Sequence, residues 1–365
     1  MNINTVLPLI IAGLACAGRA QTNSEPGAPF TLTWTQGTCV GCRITTDLGE
    51  IQFTSRTEAW AVGYSFPPPG AQGAGDYIVA YTKDAGRTWK EVRQTYAHAG
   101  EPAFSFLDAR RGWIAWWNPA ADPKIIRTRD GGQHWQNVSG EILQKLRFFD
   151  DTHGYGAKVT TFLSTDDGGR TWAKSQIPHL RFIDCMFFLT RNLGWIAGTD
   201  DKEVLVFRTI DGGRTWEEHQ AAAPKELDTV RDLFFLDQNR GWLITWHSND
   251  SGSYLFSTND GGKNWAPVSG LSFQGKGKWA GTVRFISAKI GFIFFDEEGL
   301  SNQGFDRHSM AYTTDGGANW HHQPVPYFVY DCQVSDGDLL CSFGNHHSRI
   351  GVLTLHPNQL GLGAK

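Results

Sequence analysis

An excess of charge of either sign is missing from this 365-residue sequence: 33 Lys and Arg stand against 37 Asp and Glu, a formal net charge of −4. Nucleic-acid binding relies on a basic surface that neutralises phosphates, so this balance argues against it. Long apolar runs are missing too. The stretch at residues 6–14 is too short to span a bilayer and ends in small residues at Gly18-Arg-Ala20, the pattern of an export signal over residues 1–20. No Lys or Arg precedes it, so the amino terminus supplies the positive charge there. Cleavage after Ala20 leaves Gln21 first and residues 21–29 as a flexible segment. Leu14-Ala15-Cys16 offers a competing outcome, lipid attachment at Cys16 with the flexible stretch from Ala17 to Pro29 as tether, although Gly13 stands where a lipoprotein signal prefers Leu.

Aromatic residues and glycine are plentiful, with 15 Trp, 23 Phe and 42 Gly, as a packed all-β protein with many turns requires. One eight-residue turn occurs six times, first as Thr82-Lys-Asp84-Ala-Gly86-Arg-Thr88-Trp89. This is the signature of an Asp box. Its aspartates are Asp84, Asp130, Asp167, Asp211, Asp260 and Asp315, at intervals of 46, 37, 44, 49 and 55 residues. Four short antiparallel strands with their turns fill such an interval, the period of a β-propeller blade. The carboxylate accepts hydrogen bonds from N–H groups of its own turn and glycine supplies positive φ, so these aspartates read as structural.

A second phrase recurs between the boxes: an apolar run ending in Asp, Ser or Thr, a short turn, then Gly or Ala followed by an aromatic, as in Leu233-Phe-Phe-Leu-Asp237 before Gly241-Trp242. Copies centre on Trp60, Trp113, Tyr155, Trp195, Trp242 and Phe292, and a degenerate seventh runs from Cys332 to Phe343. Seven blades with six boxes follow if the box joins the third and fourth strands and the last blade borrows its fourth strand from the N-terminus. Phe30-Thr-Leu-Thr-Trp34 fits that strand, because Thr33-Trp34 repeats the Thr-Trp that follows three of the boxes. The expected fold is an all-β, seven-bladed propeller over residues 30–357, closed by an N-terminal strand completing the last blade, with a tail at 358–365.

Export makes the cysteines candidates for oxidation. In Cys332-Gln-Val-Ser-Asp336-Gly337-Asp-Leu-Leu-Cys341, a two-residue Asp-Gly turn places Cys332 opposite Cys341 as a non-hydrogen-bonded pair, whose close Cα atoms suit a cross-strand disulfide. Cys39-Val-Gly-Cys42 reads as a local structural disulfide rather than a redox motif, because it follows a strand and opens no helix. Cys185, inside an apolar strand, is a buried thiol. No metal is expected: no cysteine spacing supports zinc, adjacent His346 and His347 point to opposite faces, and Glu297, Asp306 and His308 form the remaining weak cluster. No cofactor is called for.

Repeats, closure and export signal together resemble the photosystem II stability and assembly factor family over roughly residues 30–357. The resemblance implies a seven-bladed binding scaffold that is not an enzyme and whose binding surface is arginine-rich. Its motifs specify the fold more strongly than the client, since sialidases and the sortilin ectodomain also carry Asp boxes.

The first strand of each blade starts beside the channel on the face carrying the second-to-third and fourth-to-first connections. Arg147, Arg181, Arg231 and Arg284 fall there in four consecutive blades, an arc suited to an acidic peptide segment or a carboxylated ligand. The competing reading has Asp184, Asp232 and other carboxylates neutralise them. Loops at 65–76, 247–253 and 296–308, with Trp116, Trp117 and Trp246 near their bases, extend the candidate surface; those tryptophans read alternatively as inter-blade packing. A protein partner is expected, a glycan is the alternative, and the chain is expected to be monomeric. For hydrolysis, the sialidase Arg-Ile-Pro signature is absent, and Glu297, Glu298 and Asp306 fall on one loop with no partner identified across the mouth.

Overall fold

The computed structural model describes residues 20–23, 29–40, 46–65, 76–95, 102–116, 124–200, 202–221, 229–247, 252–269, 271, 278–298, 305–345 and 348–357. These residues form β-strands and no α-helix. Blade one is built from β4 (Thr46–Phe53), β5 (Ala59–Ser65), β6 (Asp76–Thr82) and β7 (Thr88–Thr95). Blade two contains β8 (Ala103–Phe106), β9 (Gly112–Ala115), β10 (Ile125–Thr128) and β11 (Gln136–Ser139). Blade three contains β12 (Lys145–Phe148), β13 (Gly154–Lys158), β14 (Thr161–Thr165) and β15 (Ala173–Gln176). Blade four runs through β16 (Cys185–Phe188), β17 (Gly194–Thr199), β18 (Val204–Thr209) and β19 (Glu217–Ala221). Blade five has β20 (Thr229–Phe235), β21 (Gly241–His247), β22 (Gly252–Thr258) and the short β23 (Ala266–Pro267). Blade six has β24 (Lys278–Phe285), β25 (Gly291–Glu298), β26 (Phe305–Thr313) and β27 (His321–Val325).

The seventh blade has the order β1-β2-β30-β29-β28, combining β28 (Phe328–Ser335), β29 (Asp338–Asn345) and β30 (Ser348–Pro357) with β2 (Phe30–Gln36) and β1 (Ala20–Asn23). β2 pairs antiparallel with β30, from Phe30 opposite Pro357 to Gln36 opposite Gly351. Pairing the two chain ends protects what is otherwise an open sheet edge. The N-terminal segment then crosses to blade one, where β3 (Thr38–Val40) runs parallel to β7. β1 begins one residue before the expected mature terminus and includes residues 21–23 of the segment expected to be flexible. Cys16, Cys42, His346, His347 and Trp117 lie outside the described residues, so the signal, the Cys39–Cys42 pairing and the tail remain sequence expectations. Cys332 and Cys341 do face each other across the β28–β29 hairpin, bonded with Cα atoms 4.1 Å apart.

The six repeated turns join the third and fourth strands of blades one to six and define a turn face; the opposite face, with the second-to-third and fourth-to-first connections, is the loop face. Each turn is held by the same pattern of hydrogen bonds, the side chain four residues after the Asp being Thr, His or Asn. In blade four Thr209 Oγ1 donates to Asp211 Oδ1 at 2.8 Å and accepts from Gly213 N at 2.8 Å, while Asp211 accepts from Thr215 N and Oγ1 at 2.9 and 2.6 Å. Gly212 and Gly213 have φ of 75° and 83°, the left-handed region that glycine adopts without strain. Partial burial pushes the carboxyls of Asp167, Asp211 and Asp260 up, but the turn hydrogen bonds outweigh it and hold each at about 2. At Asp130 and Asp315 the backbone N–H of His134 and Asn319 leads the same depression, to about 2. A carboxylate whose folded pKa lies below its unfolded value stabilises the fold above the unfolded pKa and loses that contribution as pH falls through the folded one. The turns are therefore expected to contribute fully above about pH 5 and to fail as pH drops toward about 2. A thermal midpoint that stays constant across that window would refute this.

The second recurring phrase forms a stacking joint between blades. In blade four, Phe188 closes the first strand and its ring lies directly over Gly194, where any Cβ would collide with it. The next residue, Trp195, stacks on Phe235 of blade five with centroids 3.6 Å apart and planes 6° from parallel. The indole Nε1 donates to Gly261 O in the blade-five turn at 2.8 Å. Equivalent stacks join Trp60 to Phe106, Trp113 to Phe148 and Trp242 to Phe285, while Tyr155 meets Phe188 at 4.4 Å with its plane tilted by 38°. At the sixth junction Phe292 instead meets Phe30 of the closing strand edge-on at 5.4 Å.

Candidate functional site

Inner strands crowd around the axis, and where they must stay close without stacking, side chains of one blade bond the backbone of the next. Gln333 Oε1 accepts from Phe53 N at 2.8 Å, Gln52 Oε1 from Phe106 N at 2.8 Å and Ser105 Oγ from Phe148 N at 2.8 Å. Asp184 Oδ2 accepts from Val230 N at 3.0 Å and Asp232 Oδ2 from Val283 N at 2.8 Å. Arg147 occupies the position matching Gln52 and Ser105, makes no bond to a neighbouring blade among the described residues, and lines the channel. These strands enclose a cavity of about 610 Å³ lined by charged side chains of both signs, including Glu50, Lys145, Arg147, Asp184, Arg231 and Asp232.

The four arginines singled out from the sequence separate into three situations. Arg231 is the extra residue of a bulge between Val230 and Asp232 and is exposed. A bulge re-aims its side chain, and here the guanidinium lies 5.3 Å from the ring centroids of both Trp246 and Trp279. The two indoles meet edge-on at 5.7 Å, forming a rigid aromatic clamp on the cation. Arg147 is also solvent-accessible within the channel, 5.8 Å from the Phe149 centroid, and desolvation by the surrounding blades lowers its pKa with no carboxylate opposing the shift. Neither Arg147 nor Arg231 has an ion-pair partner among the described residues.

Arg284 is different. Its Nη1 pairs with Asp232 Oδ2, its Nη2 with Asp331 Oδ1 at 2.8 Å, and its Nε donates to Cys332 O. Burial opposes its charge, but the two carboxylates outweigh that and raise its pKa, while burial pushes the Asp331 carboxyl up. The competing reading of neutralisation between blades therefore holds at this position, which also lies toward the turn face. Arg181 is exposed in the segment before β16 and is not among the residues lining the cavity. The structure thus brings Arg147, Arg231 and Arg284 to one channel, without a continuous arc on one face.

Trp116 is buried with the blade-two core rather than displayed. Glu297 and Glu298 end β25 and Asp306 lies in β26, so residues 296–298 and 305–308 of the expected loop are strand. His308 Nδ1 is 2.7 Å from buried Asp296 Oδ1. Cys185 lines the cavity as a free thiol, and burial pushes its pKa up to about 12, leaving it protonated at neutral pH. Among the described residues no group of three or more His, Cys, Asp or Glu side chains is arranged to hold a metal ion. Sequence reasoning missed the Trp279 half of the clamp and the Asp331 half of the Arg284 pairing; only the bulges and blade order bring them together.

No protein-family model and no curated protein sequence matches the chain. Among solved structures, YCF48 bound to D1 peptide aligns over 92% of this chain and 99% of its own, with 16% identity and a TM-score of 0.60. YCF48 from Cyanidioschyzon merolae aligns over 90% and 99%, again with 16% identity and a TM-score of 0.60. A GH74 xyloglucanase from Xanthomonas campestris aligns over 90% of this chain but 59% of its own, with 13% identity and a TM-score of 0.55. Identities this low speak to architecture alone, and the resemblance first drawn from the sequence extends to it: the chain shares the seven-bladed propeller fold of the photosystem II assembly factor YCF48.

Proposed function

We propose that this protein is an exported, noncatalytic scaffold that binds an acidic or carboxylate-bearing segment of a protein partner at the loop-face mouth of its channel. The observation carrying this reading is Arg231, an exposed cation without an ion-pair partner among the described residues, clamped between Trp246 and Trp279. A guanidinium held by aromatic faces keeps its donors available for a carboxylate and loses less side-chain freedom on binding. The likeness to YCF48 bound to D1 peptide supports a protein ligand over a small substrate. The disulfide between Cys332 and Cys341 is compatible with an oxidising compartment.

Affinity capture from cross-linked cell envelopes, comparing the native protein with Arg231→Glu, tests this directly. A specific envelope protein held by the native chain and reduced roughly tenfold or more in the variant is expected, because reversing a cation that grips a carboxylate removes an attraction and adds a repulsion. Equal recovery by both proteins would remove the cationic mouth from the mechanism. Recovery of polysaccharide alone would favour glycan binding, with a glycoside turnover screen to separate recognition from hydrolysis.

A further inference from the structure

The turn-face mouth of the channel has a different chemistry. A cavity of about 540 Å³ opens there, within the range of small-molecule sites. Its rim is apolar: Phe53, Leu189, Leu236 and Val334 follow or close the first strands of four blades. Leu189 and Val334 remain 36% and 40% exposed, although each sits beside a packed core that has no need of their outer surfaces. Behind this rim stand Lys145, Arg147, Arg284 and Asp331.

Charge matching across that inner wall is uneven. Arg284 is compensated by Asp232 and Asp331, and Lys145 acts on Asp184. Among the described residues no carboxylate acts on Arg147, unlike the other two cations, and its guanidinium lies 5.8 Å from the ring centroid of Phe149, which follows β12. An apolar rim leading to one uncompensated guanidinium suits a ligand with one carboxylate on an apolar body. The Asp331 carboxylate nearby disfavours a second negative charge.

We propose that the turn-face mouth binds a free, medium-chain apolar monocarboxylate, its head on Arg147 and its chain against Leu189 and Val334. This site does not depend on the protein-partner reading, which concerns the opposite mouth. Decanoate, titrated calorimetrically into the full chain below its micelle-forming concentration, is expected to bind saturably at one site. Affinity is expected to fall roughly tenfold or more in Arg147→Gln, the equivalent of losing one charge-assisted hydrogen bond, and decanol is expected to bind more weakly by a similar factor. Leu189→Asp, at an exposed position, provides a second variant whose folding is checked by its thermal midpoint; it too is expected to lose binding. Absence of saturable decanoate binding, equal affinity in native and Arg147→Gln proteins, or binding of a peptide with an apolar C-terminus but not of decanoate would each overturn the proposal.

Discussion

Replacing Arg284 by alanine is expected to destabilise the propeller by about 3–5 kcal/mol, the cost of leaving buried charges without their partner. The side chains of Arg284 and Asp232 are each 13% exposed while that of Asp331 is 46% exposed, so the buried charge left behind is mainly that of Asp232; the guanidinium spans blades five, six and seven through Asp232, Asp331 and the carbonyl of Cys332. Removing it leaves two carboxylates facing each other in the channel wall. Asp232 would still accept from Val283 N and Thr282 Oγ1, so its carboxylate cannot move away without breaking the joint between blades five and six. A triple variant, Arg284→Met with Asp232→Asn and Asp331→Asn, is expected to be more stable than the single one, because it removes the uncompensated charge while keeping one acceptor oxygen at each position for the backbone N–H groups of Val283 and Cys332. Denaturant unfolding of both variants checks this. A loss below about 1 kcal/mol for Arg284→Ala would mean that the carboxylates are solvated or protonated without it.

Trp195→Ala is expected to cost about 3–5 kcal/mol through a different mechanism, deletion of a large buried ring and creation of a cavity. The indole is fully buried, stacked against Phe235, and its Nε1 satisfies the carbonyl of Gly261. Three elements meet there: the second strand of blade four, the first strand of blade five and the turn between β22 and β23. Trp195→Phe keeps part of the stack and loses the hydrogen bond, so it is expected to fall between alanine and the native residue. Calorimetric unfolding of the two variants separates the terms. Equal destabilisation by phenylalanine and alanine would assign the contribution to the Gly261 hydrogen bond rather than to ring packing.

Both predictions show where the chain was readable. The Thr-x-Asp-x-Gly-x-x-Trp turn is legible because the side-chain bonds that shape it lie within a few residues: Thr209, Asp211, Gly213 and Thr215 bond one another without help from another blade. The hairpin register of Cys332 and Cys341 is equally local, set by the two-residue turn at Asp336 and Gly337. Strand β2 was legible because it repeats a phrase whose place in other blades was already known.

The candidate site was less legible. Arg147, Arg231 and Arg284 look alike in sequence, each a basic residue near the first strand of a blade. Their environments differ because Arg284 meets Asp232 and Asp331, 52 and 47 positions away, whereas Arg147 meets only a neighbouring phenyl ring. The bulge at Arg231 adds one residue to the strand count and moves its side chain beside Trp279, in the next blade.

By itself the sequence determined the repeat, the strand content, the turn chemistry, the number of blades and the way the ring closes, because each rests on hydrogen bonds and periodicities spanning a few residues and repeated along the chain. Only the tertiary structure decided which cations are matched, which tryptophan clamps Arg231 and that the two channel mouths differ in polarity. Those properties come from side chains of separate blades converging on one axis, and electrostatic and packing energies there depend on distances that sequence spacing does not encode.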